Sequence, residues 1–212
     1  MTAVSIAVEG SVDRAVAERL IRGVGGQPGT VYGEKGKEYL RSKITAWNKA
    51  AQRAPWLVLV DLNTQEPCAP RLVSAWLPRR APFLCFRVAV REVEAWLLAD
   101  RAGIARFLGV SERVVPADPE TLRDPKATVV DLARRSRKRL IREDLVPDPR
   151  SGRREGRAYA SRLASFARDH WQPRVAEGRS PSLAGAIACL RAVLAASAPG
   201  SRGIGGLFDG TD

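Results

Sequence analysis

The sequence predicts an α/β fold: a Rossmannoid, mostly parallel sheet with helices on both faces, followed by a C-terminal helical extension. Three observations predict it. Val4-Ser5-Ile6-Ala7-Val8 and Trp56-Leu57-Val58-Leu59-Val60 are short, almost wholly apolar runs, as strands covered on both faces must be. Over the first hundred residues such runs alternate with helical periodicity, the pattern of a parallel sheet with crossover helices. Beyond about residue 101 the strand signal stops and only helical patterns follow.

The elements can be justified in order. After the opening strand, Ser11 is a candidate N-cap, and Val12, Val16 and Leu20 mark a helical face that ends at Gly23. Gly25-Gly26-Gln27-Pro28-Gly29 predicts a turn before a short Thr30-Val31-Tyr32 strand. Lys37 to Arg53 reads as a basic helix, Trp56 to Val60 as the second long strand, and Glu66-Pro67-Cys68-Ala69-Pro70 as the opening of a helix through Trp76. Phe83 to Val90 is a further strand, with a helix after it through Glu94 and Trp96. Asp100 fits the N-cap of a short helix from Arg101 to Leu108. Three more helices are expected, over roughly 125–141, 155–171 and 182–196. The expected division is an α/β core over 1–110, a basic helical extension over 111–197 packed on it, and a flexible tail over 198–212 rich in Gly and Ser.

Composition limits the function. At 212 residues and 45% hydrophobic, the chain can bury one good core. Its apolar runs fall far short of the ~18 residues of a membrane span, and no signal peptide is expected, so a cytoplasmic protein is the expectation. Cys68, Cys85 and Cys189 form no CxxC pair, which argues against a disulfide scaffold or structural zinc. A single histidine, His170, excludes chemistry that needs a His pair. The net charge of +12 is uneven: residues 1–100 carry 14 Lys and Arg against 10 Asp and Glu, and residues 101–212 carry 21 against 13.

Acidic residues lie where strands end. Glu9-Gly10-Ser11-Val12-Asp13 follows the first strand and opens a helix. A carboxylate, a glycine that allows close backbone approach, and a helix N-terminus can make a metal and phosphate corner; alternatively, Asp13 only complements the helix dipole. Asp61 emerges from five apolar residues, a costly place for an acid unless a cation or donors meet it. Asn63 can add a neutral oxygen ligand or cap a turn. In Arg91-Glu92-Val93-Glu94-Ala95-Trp96 the two acids face one way if the segment is extended and diverge if it is helical. Glu94 is the favoured metal candidate and Glu92 the second. Asp124-Pro125 reads as a helix cap, and Lys126 beside it is a candidate to hold phosphate or stabilise developing charge.

The basic residues cluster. Arg134, Arg135, Arg137, Lys138, Arg139 and Arg142 lie on one expected helix, and Arg150, Arg153, Arg154 and Arg157 follow, ten cations in a span of 24 residues. Aromatic residues are sparse there. The expected partner is nucleic acid, DNA favoured, held through its phosphate backbone.

Taken together, the strand-EG-x-x-D, strand-D-x-N and E-x-E-A-W-L-L-A-D order resembles a Toprim domain, the metal-binding α/β fold of topoisomerases, bacterial primases and overcoming-lysogenization-defect (OLD) nucleases. The tract from Val88 to Asp100, with Asp124-Pro125-Lys126 and Ser180-Pro181-Ser182-Leu183, resembles more narrowly the Toprim-like domain-of-unknown-function 4276 family. The resemblance implies Mg²⁺- or Mn²⁺-dependent nuclease chemistry. In it Glu9 matches the Toprim glutamate, a metal ligand or acid–base group, and Asp61 the first aspartate of the usual pair. Asp13 and Glu94 match acids that serve a second metal in the OLD-like branch. Asn63 departs from the pattern, since it stands where the second aspartate is expected. The resemblance also implies a bacterial defence-type setting with an AAA-type ATPase partner. Two other readings remain open: a non-catalytic nucleic-acid-binding subunit, and a regulator of an ATPase.

Overall fold

The computed structural model describes residues 2–63 and 68–198; most of the expected tail lies outside the described residues. Four strands, β1 (Ala3–Val8), β2 (Gln27–Gly33), β3 (Trp56–Asp61) and β4 (Leu84–Ala89), form one sheet in the order β2-β1-β3-β4, with every pair parallel. Helices α1 (Ser11–Gly23), α2 (Lys37–Ala50) and α3 (Ala69–Trp76) connect them. After β4 come α4 (Val93–Ala99), α5 (Arg101–Leu108), α6 (Pro125–Arg134), α7 (Arg139–Leu145), α8 (Tyr159–Asp169), α9 (Pro173–Ala176) and α10 (Pro181–Ala196).

The period of two explains the layers. On one face Val4, Ile6 and Val8 of β1, Leu57 and Leu59 of β3, and Cys85 and Ala89 of β4 join α1, α4 and the later helices in a single apolar cluster that reaches Val193. On the other face Ala7, Val58, Val60, Phe86 and Val88 pack with Leu40, Ile44 and Trp47 of α2 and Leu72 of α3. Strands buried on both sides must read as continuous apolar runs, and these do. The chain therefore forms a doubly wound α/β fold whose C-terminal helices cover one face. Among the described residues no helix is long and apolar enough to cross a membrane.

The chain steps from β1 outward to β2, then returns across β1 to β3. The gap between the carboxyl ends of β1 and β3 is thus a topological switch point, the place where open α/β sheets bind ligands.

Several boundaries differ from expectation; α2 ends at Ala50 rather than Arg53, and β4 spans Leu84–Ala89 rather than Phe83 to Val90. β2 begins at Gln27 rather than Thr30, because backbone pairing with β1 extends it through Pro28 and Gly29. α1 is capped by Gly10, with Ser11 already helical. α8 begins at Tyr159, not near residue 155. The helix expected over 125–141 is two helices. Ser136 interrupts it: its Oγ donates to the Leu108 carbonyl and accepts from Lys138 N at 2.9 Å, a local alternative to helical bonding. The Asp100 and Asp124 caps are present, accepting from Gly103 N at 3.0 Å and Ala127 N at 2.8 Å.

Candidate functional site

Five carboxylates gather at the carboxyl ends of the strands. Glu9 follows β1, Asp61 ends β3, Glu92 caps α4 after β4, Glu94 stands in its first turn, and Asp13 stands in the first turn of α1. Glu9 Oε1 accepts from Asp61 N at 2.9 Å, a bond that spans the switch point. Asp61 Oδ1 accepts from Val93 N at 3.0 Å and so fixes the entry of α4. Glu92 Oε2 accepts from Lys126 N at 3.1 Å, at the start of α6. Glu94 is buried, with Tyr159 Oη of α8 3.2 Å from Oε1 and Lys126 Nζ at 3.8 Å. Gly10 lets Asp13 fold back, since a Cβ there would lie 3.2 Å from Asp13 Oδ2.

Asp13, Asp61 and Glu94 line one cleft of about 190 Å³, together with Lys126. Electrostatically the cleft is overloaded with acid. Burial first, and then repulsion from Glu94 and Glu9, pushes Asp13 up to about 8. Burial, partly offset by Lys126, pushes Glu94 up to about 7. Burial and the surrounding acids hold Asp61 well above the usual carboxylate range. Burial also raises Glu9 and Glu92. For Lys126, burial alone would lower the pKa, but Glu94, Glu155 and Glu92 outweigh it and raise it.

The donor set suits a hard divalent cation: oxygen ligands only, excess negative charge, and one buried oxygen, Asp13 Oδ1, with no hydrogen-bond partner. Among the described residues no group of three or more histidine, cysteine, aspartate or glutamate side chains is arranged to hold a metal ion; the acids rim the strand ends instead.

Beside the acids lies a basic hollow of about 430 Å³, lined by Arg153, Arg154, Arg157 and Glu155 and sharing Lys126 with the acidic cleft. Arg154 is paired with Asp124; Arg153 and Arg157 are exposed. A larger cavity of about 500 Å³, lined by Arg19, Arg22, Arg174 and Arg191, shares no residue with either.

The structure does not bring all the candidate residues here. Asn63 takes a left-handed φ of 59°. Its backbone N bonds Arg91 O at 3.0 Å and its carbonyl accepts from Arg91 Nη1 at 3.0 Å. It does not line the acidic cleft, and its observed role is that of a turn. The run from Arg134 to Arg142 is spread over the end of α6, a turn and α7, and much of it is engaged locally. Arg134 pairs with Asp131 at 3.5 Å and Arg139 with Glu143 at 2.7 Å. Lys138 Nζ donates to the Arg106 and Phe107 carbonyls at the end of α5, and Arg142 donates to the Ser136 carbonyl. Arg135 is the C-cap of α6.

Sequence reasoning missed Tyr159 and Glu120. Glu120 Oε1 takes bonds from Ser180 Oγ, Ser182 N at 3.0 Å and Ser182 Oγ at 2.6 Å, while Trp96 Nε1 donates to Ser182 Oγ at 2.7 Å. The Ser180-Pro181-Ser182 tract thus clamps α10 to α4. A polar tract opening an apolar helix was the available signal. No protein-family model, curated protein or solved structure matches the chain, and what the site can do is read from its own residues.

Proposed function

We propose that the chain is a Toprim-type nuclease dependent on Mg²⁺ or Mn²⁺, acting on nucleic-acid phosphodiesters, with DNA the favoured substrate. One observation carries the reading: acids at the switch point, raised in pKa by burial and by one another, share Lys126 with an arginine-lined hollow. Asp13, Asp61 and Glu94 would hold the metal, with Glu9 and Glu92 beside them. Bound divalent ions supply charge stabilisation for the attacking and leaving oxygens of phosphoryl transfer. Lys126 neutralises charge on the phosphate side of the cleft. Arg153 and Arg157 seat the backbone through charge-assisted hydrogen bonds.

The protein is expected to nick or degrade DNA with Mn²⁺ and not with EDTA. Asp61→Asn should remove this activity while DNA binding at low salt persists. Asn63, standing where a second aspartate is expected and turned away from the acidic cleft, favours one rival, a nucleic-acid-binding subunit with a degenerate site. Calorimetry with Mn²⁺ separates the two: no heat of binding, together with retained DNA binding, would leave the rival in place. An AAA-type ATPase belongs to the proposal as the partner that raises weak intrinsic activity.

A further inference from the structure

β4 and α10 pack against each other on the face that also carries α1 and α4. Residues two apart on a strand share a face, so Cys85 and Arg87 both turn toward α10. Residues four apart on a helix share a stripe, so Gly185 and Cys189 both turn back. The two pairs are in register. Gly185 sits over Arg87, where a Cβ would come within 2.2 Å of Nη2. One turn on, Cys189 packs against the cluster that contains Cys85, and each thiol shifts the acidity of the other. A side chain at residue 185 would displace either the helix or the guanidinium, so this glycine is what admits a cation into the seam.

That cation has no carboxylate. Arg87 Nε is buried without a hydrogen-bond partner, and among the described residues no ion pair involves Arg87. The side chain is partly buried, and an anion forming beside its enclosed, unpartnered Nε would be favoured. The neighbouring Cys85 thiol lowers the Cys189 thiol to about 7 against the opposing effect of burial, and Arg87 and Arg80 lower it further. Burial holds Cys85 as the neutral thiol. Cys189 is half-buried and can be reached from solvent, whereas Cys85 is fully enclosed. The pair is therefore asymmetric in the way a reacting thiol and a resolving thiol must be.

We propose that Cys189 and Cys85 are a redox-active thiol pair, in which a hydroperoxide oxidises Cys189 and Cys85 closes the product to a disulfide joining α10 to β4. In the first step the Cys189 thiolate attacks one peroxide oxygen. An S–O bond forms, the O–O bond breaks, sulfur gives up two electrons, and the sulfenic acid and hydroxide (or alkoxide) result once the proton is placed. In the second step Cys85 sulfur attacks Cys189 sulfur. The S–S bond forms, the S–O bond breaks, and the departing hydroxide takes the Cys85 proton and leaves as water. This inference is independent of the nuclease reading.

The test uses the reduced full chain and hydrogen peroxide at pH 7, with Cys68, exposed at the entry to α3, as internal reference. A thiol at about 7 rather than 9.0 has roughly fifty-fold more thiolate at that pH. It loses roughly eight-fold in nucleophilicity, so Cys189 should react about six-fold faster than an ordinary thiol. Peptide mapping without reductant should give a Cys85–Cys189 crosslink with Cys68 still free. Cys85→Ala should instead accumulate a sulfenic acid at Cys189 that dimedone traps. Oxidation of Cys68 ahead of Cys189, or recovery of Cys85 and Cys189 as free thiols after peroxide, would overturn the proposal. Sulfinic acid at Cys189 without a crosslink would overturn the role of Cys85.

Discussion

Replacing Asp13 by asparagine should change how the stability of the metal-free protein depends on pH. Asp13 is 6% exposed and its Oδ1 has no partner. Burial, Glu94 and Glu9 raise its pKa from 3.8 to about 8. Between those values the folded protein keeps a proton that the unfolded chain has released, so stability falls as pH rises. The stabilisation is complete below about pH 4 and lost once pH passes about 8. One proton corresponds to about 1.4 kcal/mol per pH unit. From pH 5 to pH 8 wild type should therefore lose about 4 kcal/mol more than Asp13→Asn, against a typical domain stability of about 5–15 kcal/mol. Asparagine keeps the shape of the neutral acid and cannot ionise. It also relieves Asp61 of the repulsion that Asp13 exerts on it. The assay is urea unfolding in EDTA, followed by the fluorescence of the buried Trp96 and Trp171. Mn²⁺ at a hundred times its Kd should return about 2.7 kcal/mol to wild type at pH 8, and less to the variant. Stability curves that run parallel from pH 5 to pH 8 would refute the reasoning, because Asp13 would then be ionised in the fold.

Three further outcomes follow from the same geometry. Arg153→Ala with Arg157→Ala should flatten the log–log salt dependence of DNA binding by up to about 1.8 units, since each phosphate contact contributes about 0.9; Arg139→Ala with Arg142→Ala should flatten it less, as a filter-binding salt series would show. Ser182→Ala should cost about 1–3 kcal/mol in chemical denaturation, because it strips Trp96 Nε1 of its acceptor and Glu120 of a donor. Asn63→Asp should leave Mn²⁺ affinity unchanged by calorimetry, while Asn63→Ala should cost about 1 kcal/mol or more through its left-handed backbone.

The sheet and its acids were legible because both depend on local patterns. A strand covered on two faces must be apolar throughout, so β1, β3 and β4 stood out, and an acid directly after such a run, such as Glu9 or Asp61, is conspicuous. β2 was not fully legible. Only its edge position tolerates Gln27, Pro28 and Gly29, and backbone pairing with β1 outweighs their weak strand propensity. The break between α6 and α7 was hidden because the bonds of Ser136 reach a carbonyl 28 residues away. The same limit hid Tyr159 and Glu120, whose partners are 65 and about 60 residues distant. The charge run from Arg134 to Arg142 was legible as composition only. Which arginines face solvent freely and which hold carbonyls or acids is decided by tertiary packing.

The C-terminal helices line the candidate site as well as covering one face of the sheet. Glu94 stands on α4, directly after the last strand, yet its side-chain hydrogen bond and its ion pair reach Tyr159 of α8 and Lys126 near the start of α6. Glu92 in turn binds the first free amide of α6. The acids of the sheet thus fix where α6 begins, and α6 with α8 places Lys126 and the arginine hollow against those acids. Neither half makes chemical sense alone. The acids without Lys126 would repel both one another and a phosphate, and the arginines without the acids would bind a polyanion but hold no metal beside it. Detaching the N-terminus of α6 from Glu92, as Glu92→Ala would, should therefore weaken metal binding and DNA binding together, and loss of only one would show that the two halves act separately.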